Sequence, residues 1–445
     1  MTRTARAGAA LALTLLVLVA PATSGAAQAH GAGSDRPNYT TKTPYEPQER
    51  LRDYQAVPRG FAPVFTETVG RHGSRAMSDS DDGDAVLAVL QRAQGQGGLT
   101  RLGADLGPQV QTLLASGAAI GYGNLAERGK REQRDIALRL EQRLPRLFAD
   151  IDAHQRPIEV QTSGVTRAVD SATAFTQGLV AGDPRLAGRI QAPVTNKDLL
   201  YFHKQPQNAD YQEYADNDPA LLATLERIAG QPRTAQVARH VDARLFTPAF
   251  LATLSTEEQV AFARSVFELA SVAPAFYQDL GRFLPDGDAA WLAYLDDAEE
   301  FYQSGPAFAG RDITYKMAQP LLDDLFAQVE AKANGTSDKG AVLRFTHAEE
   351  VEPLAVLLRL PGSTKAQPLP QPYTYQNNPW RGASVAPMAA NIQWDLYSNG
   401  HTHGNTYLVR MFYNERETAF PPNCRPIAKG SAFYQLTELR RCFGR

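Results

Sequence analysis

The sequence predicts an α/β protein whose core of strands and helices carries a predominantly helical lobe inserted in it. Three observations predict this class. From residue 57 to about 190, short β-branched apolar runs alternate with stretches of helical spacing. Residues 191–330 change character and read as helix after helix. From 331 to 445 the strand–loop–helix pattern returns, so the core is discontinuous, 57–190 with 331–445, around a lobe at 191–330.

The elements follow in order. Residues 1–29 read as a signal peptide. Arg3 and Arg6 form a positive start, Ala9 to Ala20 an apolar run, and Ala27-Gln28-Ala29 a cleavage signal. That run is short for a membrane span, which takes ~20 residues. A retained N-terminal anchor is the competing reading. Residues 30–56 are polar, with Pro37, Pro44 and Pro47, and read as a loosely held leader. Residues 61–70 run apolar into Arg71-His72-Gly73-Ser74-Arg75, and 83–94 leave it with Val86, Val89 and Leu90 at helical spacing. Ile158 to Thr162 is a second strand. Ser163 is its helix N-cap, and Arg167 falls in the first turn of a helix marked by Val165, Val169, Ala172, Phe175 and Leu179.

In the lobe, Ser255-Thr256-Glu257-Glu258 is a capping box, and Met317, Leu321, Leu325 and Val329 mark another helix. Val342 to Phe345 is a strand, Thr346 to Glu349 its loop, and Val351, Leu354 and Leu358 the helix beyond. Residues 362–390 read mostly as loop. Asn391–Tyr397 and Thr406–Tyr413 read as two paired strands.

Composition bounds the function. The 445 residues are 43% hydrophobic and 21% charged, which is ordinary for a globular chain. Removing Arg3 and Arg6 takes the formal net charge from −3 to −5, so the mature surface is not broadly basic and nucleic acid is excluded as the expected partner. An anionic ligand must be caught in a local basic pocket. The two cysteines, Cys424 and Cys442, predict one disulfide in an exported chain, against the alternative of two buried thiols.

Three strand ends offer Arg71, His72 and Arg75; Arg167; and His347 with Glu349. In open α/β sheets such carboxyl-end loops converge on one crevice. Three arginines, two histidines and one carboxyl group suit phosphoryl transfer. Guanidinium forks hold the oxygens, a neutral imidazole attacks phosphorus, and an acid protonates the departing alkoxide. His72, between two arginines and beside Gly73, is the candidate nucleophile. His347 is expected to donate to the phosphate in its protonated form. Glu349 is the candidate proton donor. Burial should raise its pKa and the surrounding cations should lower it, and activity is expected to be best at mildly acidic pH.

The chain resembles the histidine phosphatase superfamily in its acid phosphatase and phytase branch. Arg71-His72-Gly73-Ser74-Arg75 matches the family's signature, and Ser163-x-x-x-Arg167-x-x-x-Ser171, with Phe175 and Gly178, matches a second block. The later His347-Ala348-Glu349, in place of His-Asp, is similar to the multiple inositol polyphosphate phosphatases. So are Gly123-Asn124-Leu125 with Gly129 and Arg139, the 317–325 stretch, and Asn414-Glu415. The resemblance spans roughly 58–424. It implies a phosphoglycerate-mutase-like three-layer core with a central mixed sheet of six strands, plus the helical lobe.

By resemblance the reaction is hydrolysis without a metal or other cofactor, through a phosphohistidine. His72 is the nucleophile, Glu349 the proton donor, and Arg71, Arg75, Arg167 and His347 bind phosphate. The implied substrate is an inositol polyphosphate such as phytate, handled by a secreted or extracytoplasmic monomer. Lys204, Arg244, Arg311 and Lys316 are candidate pocket cations, Lys316 first among them. A broad acid phosphatase and a non-catalytic phosphate-binding module are the competing functions. His401-Thr402-His403 is a weak metal pattern lacking a third ligand, and a plain surface segment is preferred.

Overall fold

The computed structural model describes residues 38–400 and 406–445. The signal-peptide reading of 1–29 and the His401-Thr402-His403 pattern both fall outside the described residues. Strand β1 (Ala62–Arg71) lies centrally in one mixed sheet with β2 (Ile158–Thr162), β3 (Val194–Thr195), β4 (Ala341–Thr346), β5 (Asn391–Ser398), β6 (Tyr407–Tyr413), β7 (Arg416–Thr418) and β8 (Phe433–Gln435). The order is β3-β2-β4-β1-β5-β6-β7, with β8 also pairing β6. Pairing is parallel from β3 to β1 and antiparallel from β1 to β8. Among the described residues the sheet thus has eight strands, not six. The unanticipated β3, β7 and β8 have two or three residues each, too few to display a period of two.

The sheet buries both faces. On β4, Leu343 and Phe345 pack with Val160 and with Ile136, Leu140, Phe175 and Leu179 of the helices α3 (Glu127–Arg143) and α5 (Thr166–Gly182). Val342 points the other way, into a second cluster with Phe65, Val69 and Trp394. That cluster continues through Leu321, Leu325 and Val329 of the Gln319–Ala333 helix into the helices that fill the chain between β3 and β4. Each such fully buried side chain contributes ~1.5–3 kcal/mol. Gly178 permits the closest approach of α5 to α3, since a Cβ there would lie 2.6 Å from the Arg134 carbonyl oxygen. The capping box at Ser255 and Glu258 is formed, opening the Thr256–Val272 helix.

The leader departs from its reading. Tyr39, Thr40, Thr41 and Tyr45 are buried, the Tyr45 hydroxyl donates to Glu415 at 2.9 Å, and Lys42 bonds Glu268 at 2.6 Å. Isolated tyrosines carry no periodicity, so their burial has no signature in sequence. Glu415 also takes a two-pronged pair from Arg139 at 2.8 and 2.7 Å, which joins two of the stretches that carried the resemblance. Cys424 and Cys442 are disulfide-bonded. Among the described residues no helix is long and apolar enough to cross a membrane.

Candidate active site

Sheet register alone assembles the site's floor. Arg71 pairs with Thr346 across β1 and β4, and Thr162 pairs with Phe345 across β2 and β4, so the carboxyl ends of three parallel strands lie side by side. The pairing persists into the loops: the His72 amide donates to the Thr346 carbonyl at 2.9 Å, and the Ser163 amide to Phe345 at 3.1 Å. Arg71-His72, Ser163 and His347 are therefore neighbours because their strands are. Two helices start there, α5 just before Arg167 and the Ala348–Leu357 helix just after His347, and their N-termini favour an anion.

The first loop is held from below by α3. A Cβ at Gly73 would sit 2.4 Å from the Gly129 carbonyl oxygen, so only glycine allows this contact. Glu132 accepts from the Ser74 amide and hydroxyl, each at 2.8 Å, and Gln133 donates to the Arg71 carbonyl at 2.8 Å. Ser163 does not cap α5, whose N-cap is Val165. Its hydroxyl instead lies 2.9 Å from Nε2 of His347, a cross-strand bond invisible to local pattern.

His72 is buried, with Nδ1 placed 2.9 Å from the Gly73 carbonyl oxygen. A carbonyl only accepts, so Nδ1 carries the proton and Nε2 the lone pair. Burial first, then Arg71, His347, Arg167 and Arg75, hold this imidazole well below its ordinary pKa and therefore neutral. Its ring is edge-on to that of His347 at 5.4 Å.

Around it lie buried N–H groups that no protein atom satisfies: Nε of Arg71, Arg75 and Arg167, and Nδ1 of His347. A buried donor left unmet costs ~1–3 kcal/mol, so such a set marks a place built to take acceptors from a ligand. Arg71 is oriented by the carbonyls of Thr41 and Ala386. Burial, Arg167 and Arg71 bring Arg75 down to about 10, the mark of guanidinium groups crowded together.

Two ionisation expectations are decided by the fold. His347 is not protonated: burial and the Arg167 charge take it down to about 3, which leaves the ring neutral. For Glu349, burial pushes upward. His203, His347, a backbone amide and Arg71 more than offset it and bring the carboxyl to about 2. A phosphoester arriving with negative charge opposes His203 and Arg71 and raises Glu349 toward the protonated form.

Three of the four expected pocket cations bond to other groups of their own lobe. Lys316 pairs with Asp210 at 2.6 Å, Arg311 with Asp218 at 2.9 Å, and Arg244 donates to the Arg282 carbonyl at 3.0 Å. Residue type and region could not reveal that acids of the same lobe engage two of them. Lys204 is exposed and follows His203, whose ring feels its charge. Sequence reasoning missed Lys42, which with Arg75, Asp82, Glu268 and Met388 lines a cavity of about 250 Å³. It also missed Glu132, Tyr201, and the buried pair of His203 and Glu350. Glu132 had a faint signal, an acid one turn beyond Gly129 on a helix facing the signature loop.

Residues 65–414 match the family model of the histidine phosphatase superfamily (branch 2). The multiple inositol polyphosphate phosphatase 1 of Gallus gallus is 27% identical over 379 residues, covering 82% of this chain and 79% of that protein. Its Homo sapiens counterpart is 27% identical over 417 residues, covering 86% and 82%. The Bifidobacterium longum multiple inositol polyphosphate phosphatase in complex with phosphate superposes with a TM-score of 0.86 at 30% identity, covering 92% of this chain and 97% of that one. A phytase from D. castellii, with a TM-score of 0.60 and 14% identity, shares the fold. With its signature loop, parallel strand ends and matched length, the chain belongs to branch 2 of the histidine phosphatase superfamily and is a phosphatase.

Proposed function

We propose that this protein hydrolyses inositol polyphosphates, phytate among them, through a phosphohistidine. The observation that carries the reading is the set of buried, unmet N–H donors of Arg71, Arg75, Arg167 and His347 around an imidazole whose Nε2 lone pair is free. Donors fixed before substrate arrives stabilise the charge on the transferring phosphoryl group without reorganising.

The steps balance as follows. His72 Nε2 attacks phosphorus and forms the N–P bond while the P–O bond to the inositol carbon's oxygen breaks. Glu349 gives its proton to that oxygen. Water then attacks the phosphohistidine, Glu349 takes a proton from it, the N–P bond breaks, and inorganic phosphate leaves. The same carboxyl serves both half-reactions, so activity is best where it exchanges its proton readily, on the acidic side of neutrality.

Inositol polyphosphates are favoured over small esters by the relatives. The Bifidobacterium longum enzyme, 30% identical over nearly the whole chain, is also known in complex with inositol hexasulfate, with a TM-score of 0.82. The lobe at 191–330 is read as the far wall of the cleft, with Lys204 its candidate cation. Export by the 1–29 segment fits the disulfide, which forms in oxidising compartments.

The test is phosphate release from phytate, 4-nitrophenyl phosphate and a sugar phosphate by wild type, His72→Ala and Glu349→Gln. The expected result is preference for phytate, loss of about 10³-fold or more in His72→Ala, and a phosphoenzyme trapped by acid quench from wild type but not from His72→Ala. Preference for the small esters would replace the substrate reading with a broad acid phosphatase. Tight phytate binding without release would make the protein a binding module.

A further inference from the structure

The ion pair of His203 and Glu350 belongs to none of the motifs, yet it touches the site from behind. Nδ1 of His203 lies 2.5 Å from Oε1 of Glu350, and both residues are buried. Oε2 of Glu350 lies 2.9 Å from the hydroxyl of Thr346, the last residue of β4. That hydroxyl is also 2.7 Å from the Leu200 carbonyl, so the segment carrying His203 is bonded to the strand that delivers His347 and Glu349. The rings of His203, Tyr201, His347 and His72 form a column, with successive centroids 4.8, 5.1 and 5.4 Å apart.

Resting on the roles given above to His72 and Glu349, we propose that His203 is a positioning residue: anchored by Glu350, it presses Tyr201 against His347 and sets the charge beside Glu349. Taking a charged pair out of water costs several kcal/mol per ion, so one kept here needs a compensating use. A wall built only for packing would serve with apolar groups. The geometry supplies the use. Tyr201 is the sole ring between His203 and His347 among the described contacts, and His347 has one of its nitrogens bonded to Ser163 and the other directed to no protein atom. A ring held by one hydrogen bond keeps its plane only if its faces are packed.

The charge argument has a sign. The groups that lower Glu349 are His203 and His347 beside it and Arg71 from β1. Opposing them are Glu300 from the Asp286–Gln303 helix and Glu350 and Glu352 from its own helix. Tyr201 and Tyr211 also feel its charge. Removing His203 deletes a leading cation and lets Glu349 hold its proton to higher pH. Since Glu349 is both acid and base in the cycle, both limbs of the pH–rate profile move up together.

The test compares wild type, His203→Gln, the double variant His203→Gln/Glu350→Gln, and Tyr201→Leu, each assayed on phytate and on 4-nitrophenyl phosphate from acid to neutral pH. The double variant guards against a misfolded single variant, because it leaves no buried carboxylate without a partner. In both His203 variants kcat should fall about tenfold, the size of a displaced catalytic group; the whole profile should shift to higher pH in His203→Gln, and less in the double variant, where the opposing charge of Glu350 is also gone. Tyr201→Leu should lower kcat without moving the profile. A folded double variant with wild-type kcat and an unmoved profile would overturn the proposal, as a packing role predicts nothing more. Wild type inactive on both substrates would instead sink the reading of the chemistry, and wild type active only on the aryl ester would sink the phytate reading alone.

Discussion

Glu132 grips Ser74 twice, accepting from its amide and from its hydroxyl at 2.8 Å each. Ser74 sits in the signature loop between Gly73 and Arg75, so an acid on α3 fixes the backbone from which His72, the proposed nucleophile, and the Arg75 guanidinium project. Burial raises the carboxyl of Glu132, and the Ser74 bonds and Arg128 work against that rise. Replacing Glu132 by Ala leaves three donors unmet in the interior, the amide and hydroxyl of Ser74 and the amide of Tyr45. The expected cost is ~1–3 kcal/mol of stability, with a loss of kcat/KM of about tenfold or more as the loop loosens. Glu132→Gln, which keeps one acceptor, should fall between. Thermal unfolding and phosphate-release kinetics on the three proteins check this.

Inorganic phosphate should stabilise the fold, because the unmet donors bind it in the folded state alone. At a hundredfold its Kd the gain is about 2.7 kcal/mol. Arg167→Ala should shrink the rise in Tm with added phosphate. An equal rise in wild type and variant would show that phosphate binds elsewhere.

The two site histidines make the fold acid-sensitive. His347 titrates at about 3 when folded against 6.5 for a free imidazole. Between those values the unfolded chain binds the proton and the folded one does not, so this contribution is whole above about 6.5 and is lost as pH falls toward 3. His72 acts in the same direction. In His347→Gln one of the two is gone, and the fall of Tm from pH 6.5 to 3 should be shallower than in wild type. Parallel curves would contradict the depressed titration of His347.

The Cys424–Cys442 bond closes a loop of 18 residues around β8. Loop-closure entropy of that size is about 3 kcal/mol as a model value. The double change Cys424→Ser/Cys442→Ser should lower Tm on that scale and leave phosphate release at moderate temperature unaltered. Differential scanning calorimetry with a parallel assay measures both.

Strong local periodicity was readable without coordinates. The runs into Arg71, from Ile158 to Thr162, and from Val342 to Phe345 became β1, β2 and β4 within a residue or so, and the 255–258 capping box opened its helix as written. So was the candidate site inventory, since Arg-His-Gly-x-Arg and His-Ala-Glu lie within single loops. What escaped were features with no local period: β3, β7 and β8, the buried tyrosines of the leader, and the pairing of lobe cations with lobe acids.

The amino-acid order by itself determined which side chains stand at the strand ends, because a strand's alternation and a helix's start are properties of neighbouring residues. Only the tertiary structure decided their ionisation. Glu349 could have gone either way on sequence grounds. His203, nearly 150 positions earlier, together with His347 and Arg71, settled it downward, and burial with the Arg167 charge left His347 neutral. Charge acts through space over a few ångströms, and those distances exist only once β1, β2 and β4 lie side by side.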